Sequence, residues 1–231
     1  MTSSKLKAEA RELIRANAPK IILVGLIYII ATTIISQLQI RLPAPIGIYS
    51  QLAVGEITHE QFLNSFNQYG ILLAFLLGIM LPTISIGYNS YCLKMVRTQD
   101  GDYKDLLTGF TMFLKVISLS IVTTVLIMLW SLLFIIPGVV AHYRYRLAYY
   151  ILLDDPSKGV MQCISESKRL MHGKKVDLFL IDLSFVGWLI LSDLILIFII
   201  PIFPIVSVWL TPYYGLTQAS YYNKVINEVA V

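Results

Sequence analysis

Residues 131–150 read SLLFIIPGVVAHYRYRLAYY, and the fold of the chain turns on how they are taken. An apolar run stops at Pro137-Gly138, and a second apolar stretch follows that carries His142, Arg144 and Arg146 among tyrosines. Proline lacks an N–H and glycine accepts backbone angles that other residues resist, so the pair predicts a break or tight turn. The chain is expected to enter a membrane, turn, and return with two arginines inside the apolar zone. Ionisable groups there are expensive, which makes them candidate functional residues.

The composition supports this setting. Of 231 residues, 57% are hydrophobic and 14% charged, and the mean hydropathy is +0.73. A soluble domain of this length needs more charge to cover its surface. The expected class is therefore an all-α polytopic membrane protein. A net charge of +4 with localised bases argues against a nucleic-acid partner. Cys92 and Cys163 have no metal or redox spacing, and both are placed near the cytoplasmic side, where no disulfide is expected. The first apolar run is long and is followed by no small-x-small site, unlike a cleavable signal.

Working outward from the central stretch, apolar runs at 21–40, 71–93, 113–136, 178–200 and 205–225 are each long enough to span a bilayer. Residues 4–18 read as an amphipathic surface helix, with Leu6, Ala10, Leu13 and Ile14 on one face. That helix suits an anionic membrane surface or a solvated cap before the first span. Within the polar excursion 41–69, Thr58 and Gln61 have capping-box spacing. Asp155, followed by Pro156, predicts the start of a helix whose apolar face is Val160, Cys163, Ile164, Leu170 and Met171. Gly173 predicts its stop.

Residues 139–153 are short for a span, so charge decides their role. If they cross, there are six spans with both termini cytoplasmic, and Arg41 is the one base left in an outer loop. If they do not, Lys168, Arg169, Lys174 and Lys175 fall outside. The positive-inside bias favours crossing. One integral domain results. Residues 19–97 form a first hairpin, 98–155 a second and 156–231 a third, with Pro137, Gly138, Pro201 and Pro204 as turns. The third repeats the second at an offset of 64: Gly109 aligns with Gly173, Pro137 with Pro201, and Tyr149-Tyr150 with Tyr213-Tyr214.

LWSLLFIIPGVV (129–140), RYRLAYYIL (144–152), SKRLMHGKK (167–175), LSFVGW (183–188) and TPYY (211–214) together resemble an uncharacterised family of bacterial multipass membrane proteins. The proline turn and the helix ending in Gly-Lys are also distantly similar to the membrane domain of glycerophosphodiester phosphodiesterases. The soluble catalytic barrel of those enzymes has no counterpart here. The resemblance implies a fold and a bacterial inner-membrane location, with no catalytic residue and no established activity.

The candidate ligand-binding residues are Arg144, Arg146, Asp193, Tyr143 and Tyr145. Counted from the two proline turns, Asp193 matches the arginines in depth, which predicts an Arg144–Asp193 or Arg146–Asp193 pair. The other arginine is then left for an anion such as a lipid phosphate, or snorkels outward. Asp182 reads as a solvated carboxylate. His59, His142 and His172 follow no metal pattern, and no cofactor or catalytic motif is present. The expected function is a non-enzymatic component that binds or moves a lipid or small amphiphile, with membrane lipids as partners. The alternatives are an accessory subunit acting through another membrane protein or a homo-oligomer and, more distantly, an enzyme acting on phospholipid.

Overall fold

A computed structural model of the chain describes residues 3–44, 47–198 and 205–230. Every regular element among them is helical. In order these are α1 (Ser3–Ala16), α2 (Ala18–Arg41), α3 (Ile48–Ala53), α4 (His59–Asn64) and α5 (Gln68–Thr98). A 3-10 turn (Tyr103–Leu107) leads into α6 (Thr108–Thr111) and α7 (Phe113–Leu133). Then come α8 (Ile135–Tyr145), α9 (Ala148–Asp154), α10 (Val160–Leu170), α11 (Lys175–Phe198) and α12 (Ile205–Ala230).

Three of these helices, α2, α5 and α7, are long and apolar enough to cross a membrane, which marks a membrane protein. Their apolar side chains mostly face outward. On α7, Leu114, Met128 and Leu132 are 77%, 66% and 86% exposed. Water would penalise such a surface, whereas lipid tails accept it.

The chain divides into two compact units, residues 30–82 and the remainder. In the smaller unit, the Asn67 N–H donates to the Pro43 carbonyl at 2.8 Å and closes the excursion between α2 and α5. The expected capping box forms at α4: Gln61 N–H donates to Thr58 Oγ1 at 3.2 Å, and Thr58 N–H to Gln61 Oε1 at 2.8 Å.

The larger unit carries the core. Leu6, Ala10, Leu13 and Ile14 of α1 are buried, as their spacing predicts, but against protein. The apolar face of α1 packs on α12 and α11. Lys7 adds a cation–π contact, with its Nζ 4.4 Å from the Phe185 ring centre.

The central break falls at Phe134, three residues before the expected turn. Phe134 is extended (φ −164°, ψ 156°) and separates α7 from α8. Pro137 and Gly138 lie inside the first turn of α8. Proline explains this placement. Had α7 continued, Pro137 could not have donated to the Leu133 carbonyl, and its ring would have clashed with it. In a first turn, that N–H has no partner to lose. Gly138 serves packing and not a turn, since a Cβ there would sit 2.1 Å from Ser131 Oγ and 2.9 Å from Ser131 Cα. The glycine lets α8 fold back directly on α7. Pro201 and Pro204 lie outside the described residues.

Further along, Asp155 does not cap α10. Its carboxylate accepts from the Ser157 N–H at 3.0 Å, which closes a local turn. The helix starts later, where Gln162 Oε1 accepts from the Gly159 N–H at 2.9 Å. Cys163, Ile164, Leu170 and Met171 are buried as expected. Gly173 (φ +76°) ends the helical stretch in the left-handed region. At the offset of 64, α7 maps onto 113 + 64 = 177 to 133 + 64 = 197, inside α11. The paired glycines nevertheless do different work. Gly109 permits a close approach to the Thr83 carbonyl, 1.9 Å from where a Cβ would lie, while Gly173 supplies a turn.

Candidate functional site

The returning leg of the α7 hairpin is interrupted at Arg146-Leu147, between α8 and α9. Such an interruption frees backbone carbonyls that need donors. Ser167 of α10, fully buried, supplies one, its hydroxyl donating to the Arg144 carbonyl at 2.9 Å.

Arg146 projects from this interruption into a polar cluster. Its Nη1 donates to Asp182 Oδ2 on α11 at 2.6 Å. Its Nη2 donates to the Tyr214 hydroxyl on α12. The Tyr214 hydroxyl in turn donates to Asp182 Oδ1 at 3.0 Å, and Gln218 Nε2 donates to the same oxygen at 2.7 Å. His142 Nε2 lies 3.4 Å from Arg146 Nη1. Asp182, its side chain 15% exposed, is therefore an anchor that accepts three donors, not a solvated carboxylate. The expected partner Asp193 has its side chain outside the described residues, and Arg146 is held by Asp182. The cluster is electrically neutral and internally satisfied, which suits a strut joining three helices.

Arg144 has a different setting. Two residues from Arg146, it points to another side of the helix. Among the described residues no carboxylate pairs with it. It borders an apolar groove of about 290 Å³ formed with Trp130, Ile136, Pro137, Val140 and Ala141. A guanidinium beside such a groove can take an oxyanion while its stem and neighbours hold a hydrocarbon chain.

The two candidate tyrosines separate. Tyr143 packs edge-on against Phe179 at 5.8 Å, with the Arg146 guanidinium 6.0 Å from its ring centre. Tyr145 is buried and borders a second cavity, about 220 Å³, with Thr123, Thr124, His142, Arg146 and Tyr149. At the other end of α9, Arg97 makes a two-pronged bond to Asp154 at 2.7 and 2.9 Å. Tyr222 donates to Asp154 at 2.6 Å, and Arg97 Nε reaches Asn223 at 2.9 Å. Sequence reasoning took Tyr214 and Tyr222 as members of an aromatic set of belt or packing residues, and it missed Gln218 and the Arg97–Asp154 pair. The four-residue spacing of Tyr214 and Gln218, which places both on one face of α12, was the available signal. Among the described residues, no three His, Cys, Asp or Glu side chains gather as a metal site would need.

A family model described as "Protein of unknown function (DUF975)" matches residues 132–228, somewhat less than half of the chain. The matched part begins just before the Phe134 break and contains Arg144, Arg146, Asp182, Tyr214 and Gln218. No curated protein and no solved structure matches the chain. The similarity is thus to a family whose description assigns no activity, and it covers the segment that builds the Arg146 cluster and most of the Arg144 groove.

Proposed function

We propose that the chain is a six-span bacterial inner-membrane protein, without catalytic activity, that binds or helps move an anionic lipid or small amphiphile at the groove beside Arg144. The spans are α2, α5, α7, the pair α8–α9, α11 and α12. Residues 135–154 make 154 − 135 + 1 = 20 positions, or about 30 Å of helix, enough to recross a bilayer. Both termini then lie in the cytoplasm, together with the bases of α10 and its following loop, as the positive-inside bias prefers. The repeat at an offset of 64 makes the last two hairpins parallel units.

One observation carries the ligand reading. Arg146 has its counter-ion in Asp182, whereas Arg144, next to an apolar groove, has none among the described residues. The acid group of an amphiphile would neutralise Arg144, and its tail would lie along Trp130, Ile136 and Val140. Native mass spectrometry of protein released from lipid nanodiscs tests this. Wild type should retain an anionic lipid or amphiphile that Arg144→Gln loses. Equal retention by both rules the groove out.

A second reading, an accessory subunit, is favoured by Gly187 on α11. Among the described residues no heavy atom lies within 4 Å of where its Cβ would be, so a neighbouring helix could approach closely there. A stoichiometric protein partner lost in Gly187→Leu, with no retained amphiphile, would select that reading.

A further inference from the structure

The groove between α7 and α8 offers a ligand one charge and little else that is polar. Ile136, Pro137, Val140, Ala141 and Arg144 fall on one face of α8, with Arg144 at its inner end, and Trp130 lines the groove from α7. Apart from the Trp130 indole N–H, no lining side chain other than Arg144 carries a polar group, and among the described residues no carboxylate lines the groove. Toward the inner side α10 packs on α7 and α8, and its Ser167 hydroxyl holds the Arg144 carbonyl at 2.9 Å. At the outer end Phe134, Ile135 and Ile136 are exposed, so the groove opens toward lipid there.

This lining selects among heads. An ammonium head, as on a zwitterionic lipid, finds no carboxylate. A glycerol or sugar head brings hydroxyls that the lining cannot bond, and an unbonded hydroxyl in an apolar site is costly. A single guanidinium neutralises one negative charge, whereas a phosphate monoester carries about 1.5 to 2 at neutral pH. A carboxylate carries one, and its two oxygens match the guanidinium fork. Depth selects in the same direction. Arg144 stands ten residues before Asp154, the last residue of α9, or about 15 Å of helix, which is near the middle of a bilayer core about 30 Å thick. A phospholipid would have to carry its phosphate, glycerol and ester groups that far from the interface, and a fatty acid only its carboxyl group.

Resting on the amphiphile site proposed above, we infer that the ligand of this groove is a free fatty acid. Its carboxylate pairs with the Arg144 guanidinium, and its tail runs outward past Trp130 and Val140 toward the Phe134 break. Arg144 and Ile136 are eight residues apart, about 12 Å along the helix, so a long chain fills the groove and continues into lipid.

The experiment uses the full chain in nanodiscs of phosphatidylcholine that contain equal amounts of hexadecanoic acid, hexadecanol, hexadecyl phosphate and phosphatidylglycerol. Native mass spectrometry of the released protein reads which of the four is retained. The acid should be retained at least about tenfold over the alcohol, which lacks the charge that strengthens the bond to Arg144. It should also exceed the phosphate ester and phosphatidylglycerol severalfold. Arg144→Gln should reduce retention of the acid to the level of the alcohol. Val140→Trp, at an exposed position, fills the groove with Arg144 still in place and should lower retention severalfold. Arg144-dependent retention of phosphatidylglycerol or hexadecyl phosphate in place of the acid overturns the fatty-acid assignment and leaves the amphiphile site standing. Retention of none of the four overturns both. Acid retention that either variant leaves unchanged traces the binding to another surface and also overturns the assignment.

Discussion

Asp182 and Arg146 stand at nearly the same distance from the ends of their helical legs that lie near α10, and this lets them meet at 2.6 Å. Arg146 is eight residues before Asp154, and Asp182 seven residues after Lys175. At about 1.5 Å per residue those distances are about 12 and 10 Å. Counting depth from the proline turns had selected Asp193. Depth counted from the end near α10 therefore matches the observed pair, with α11 packed on both α8 and α12.

Removing one partner of this pair strands a charge among apolar helices. Arg146→Ala and Asp182→Ala are each expected to destabilise the protein by roughly 3 to 5 kcal/mol. The double replacement Arg146→Met with Asp182→Leu should recover much of the loss, since a neutral pair leaves no stranded charge. Thermal unfolding in mild detergent reads the series. Additive losses in the double variant would show that the two side chains act separately.

The α7–α8 contact depends on the absence of a side chain at residue 138. Gly138→Val places carbon where Ser131 already stands, at 2.1 Å from Oγ and 2.9 Å from Cα. Overpacking of this kind costs about 1 to 3 kcal/mol. Ser131→Gly in the same chain removes Oγ and Cβ but leaves Cα, so it should restore part of the stability. A Gly138→Val protein as stable as wild type would mean that the two helices are not held this closely.

Much of this architecture was legible. The 3.6-residue spacing picked out the buried faces of α1 and α10, because burial against any apolar surface selects the same positions. It could not say which surface, and α1 turned out to pack on α12 and α11. Thr58 and Gln61 were legible because a capping box is local. The Phe134 break was misplaced because proline reports only where a helix cannot continue, and here it stands three residues into the next helix. Asp155-Pro156 mimicked a helix start, yet the competing Asp155–Ser157 turn closed first. The Tyr214–Asp182–Gln218 contacts join residues more than thirty positions apart, and no local pattern specifies them.

The free thiols should be inert in the folded protein. Cys163 is fully buried on α10, and burial pushes its thiol above the ordinary value, so little thiolate forms near neutrality. Cys92 is fully buried as well, close beside Gly215 and Tyr88. Maleimide labelling at pH 7, followed by mass spectrometry, should detect almost no adduct until denaturant is added. Both cysteines should then react together. Rapid labelling of Cys163 in the native state would show that α10 detaches from its seat.

The Lys174–Glu228 pair ties the loop after α10 to the end of α12, and it makes a prediction about pH. The hydrogen bond from Lys174 is the main cause that holds the Glu228 carboxyl below its ordinary value of 4.5. A depressed carboxyl pKa stabilises the folded state above the unfolded value, and that contribution disappears as pH falls through the folded value. The pair should therefore be intact at neutral pH and open only below the ordinary carboxyl value of 4.5. Because Glu228 is exposed, the effect on global stability is small and the local titration is the better readout. In carbon-13 NMR of the glutamate side-chain carboxyls, Glu228 should titrate below the other glutamates. Lys174→Gln should move its midpoint back toward 4.5. An unmoved midpoint would show that Lys174 does not hold the end of α12.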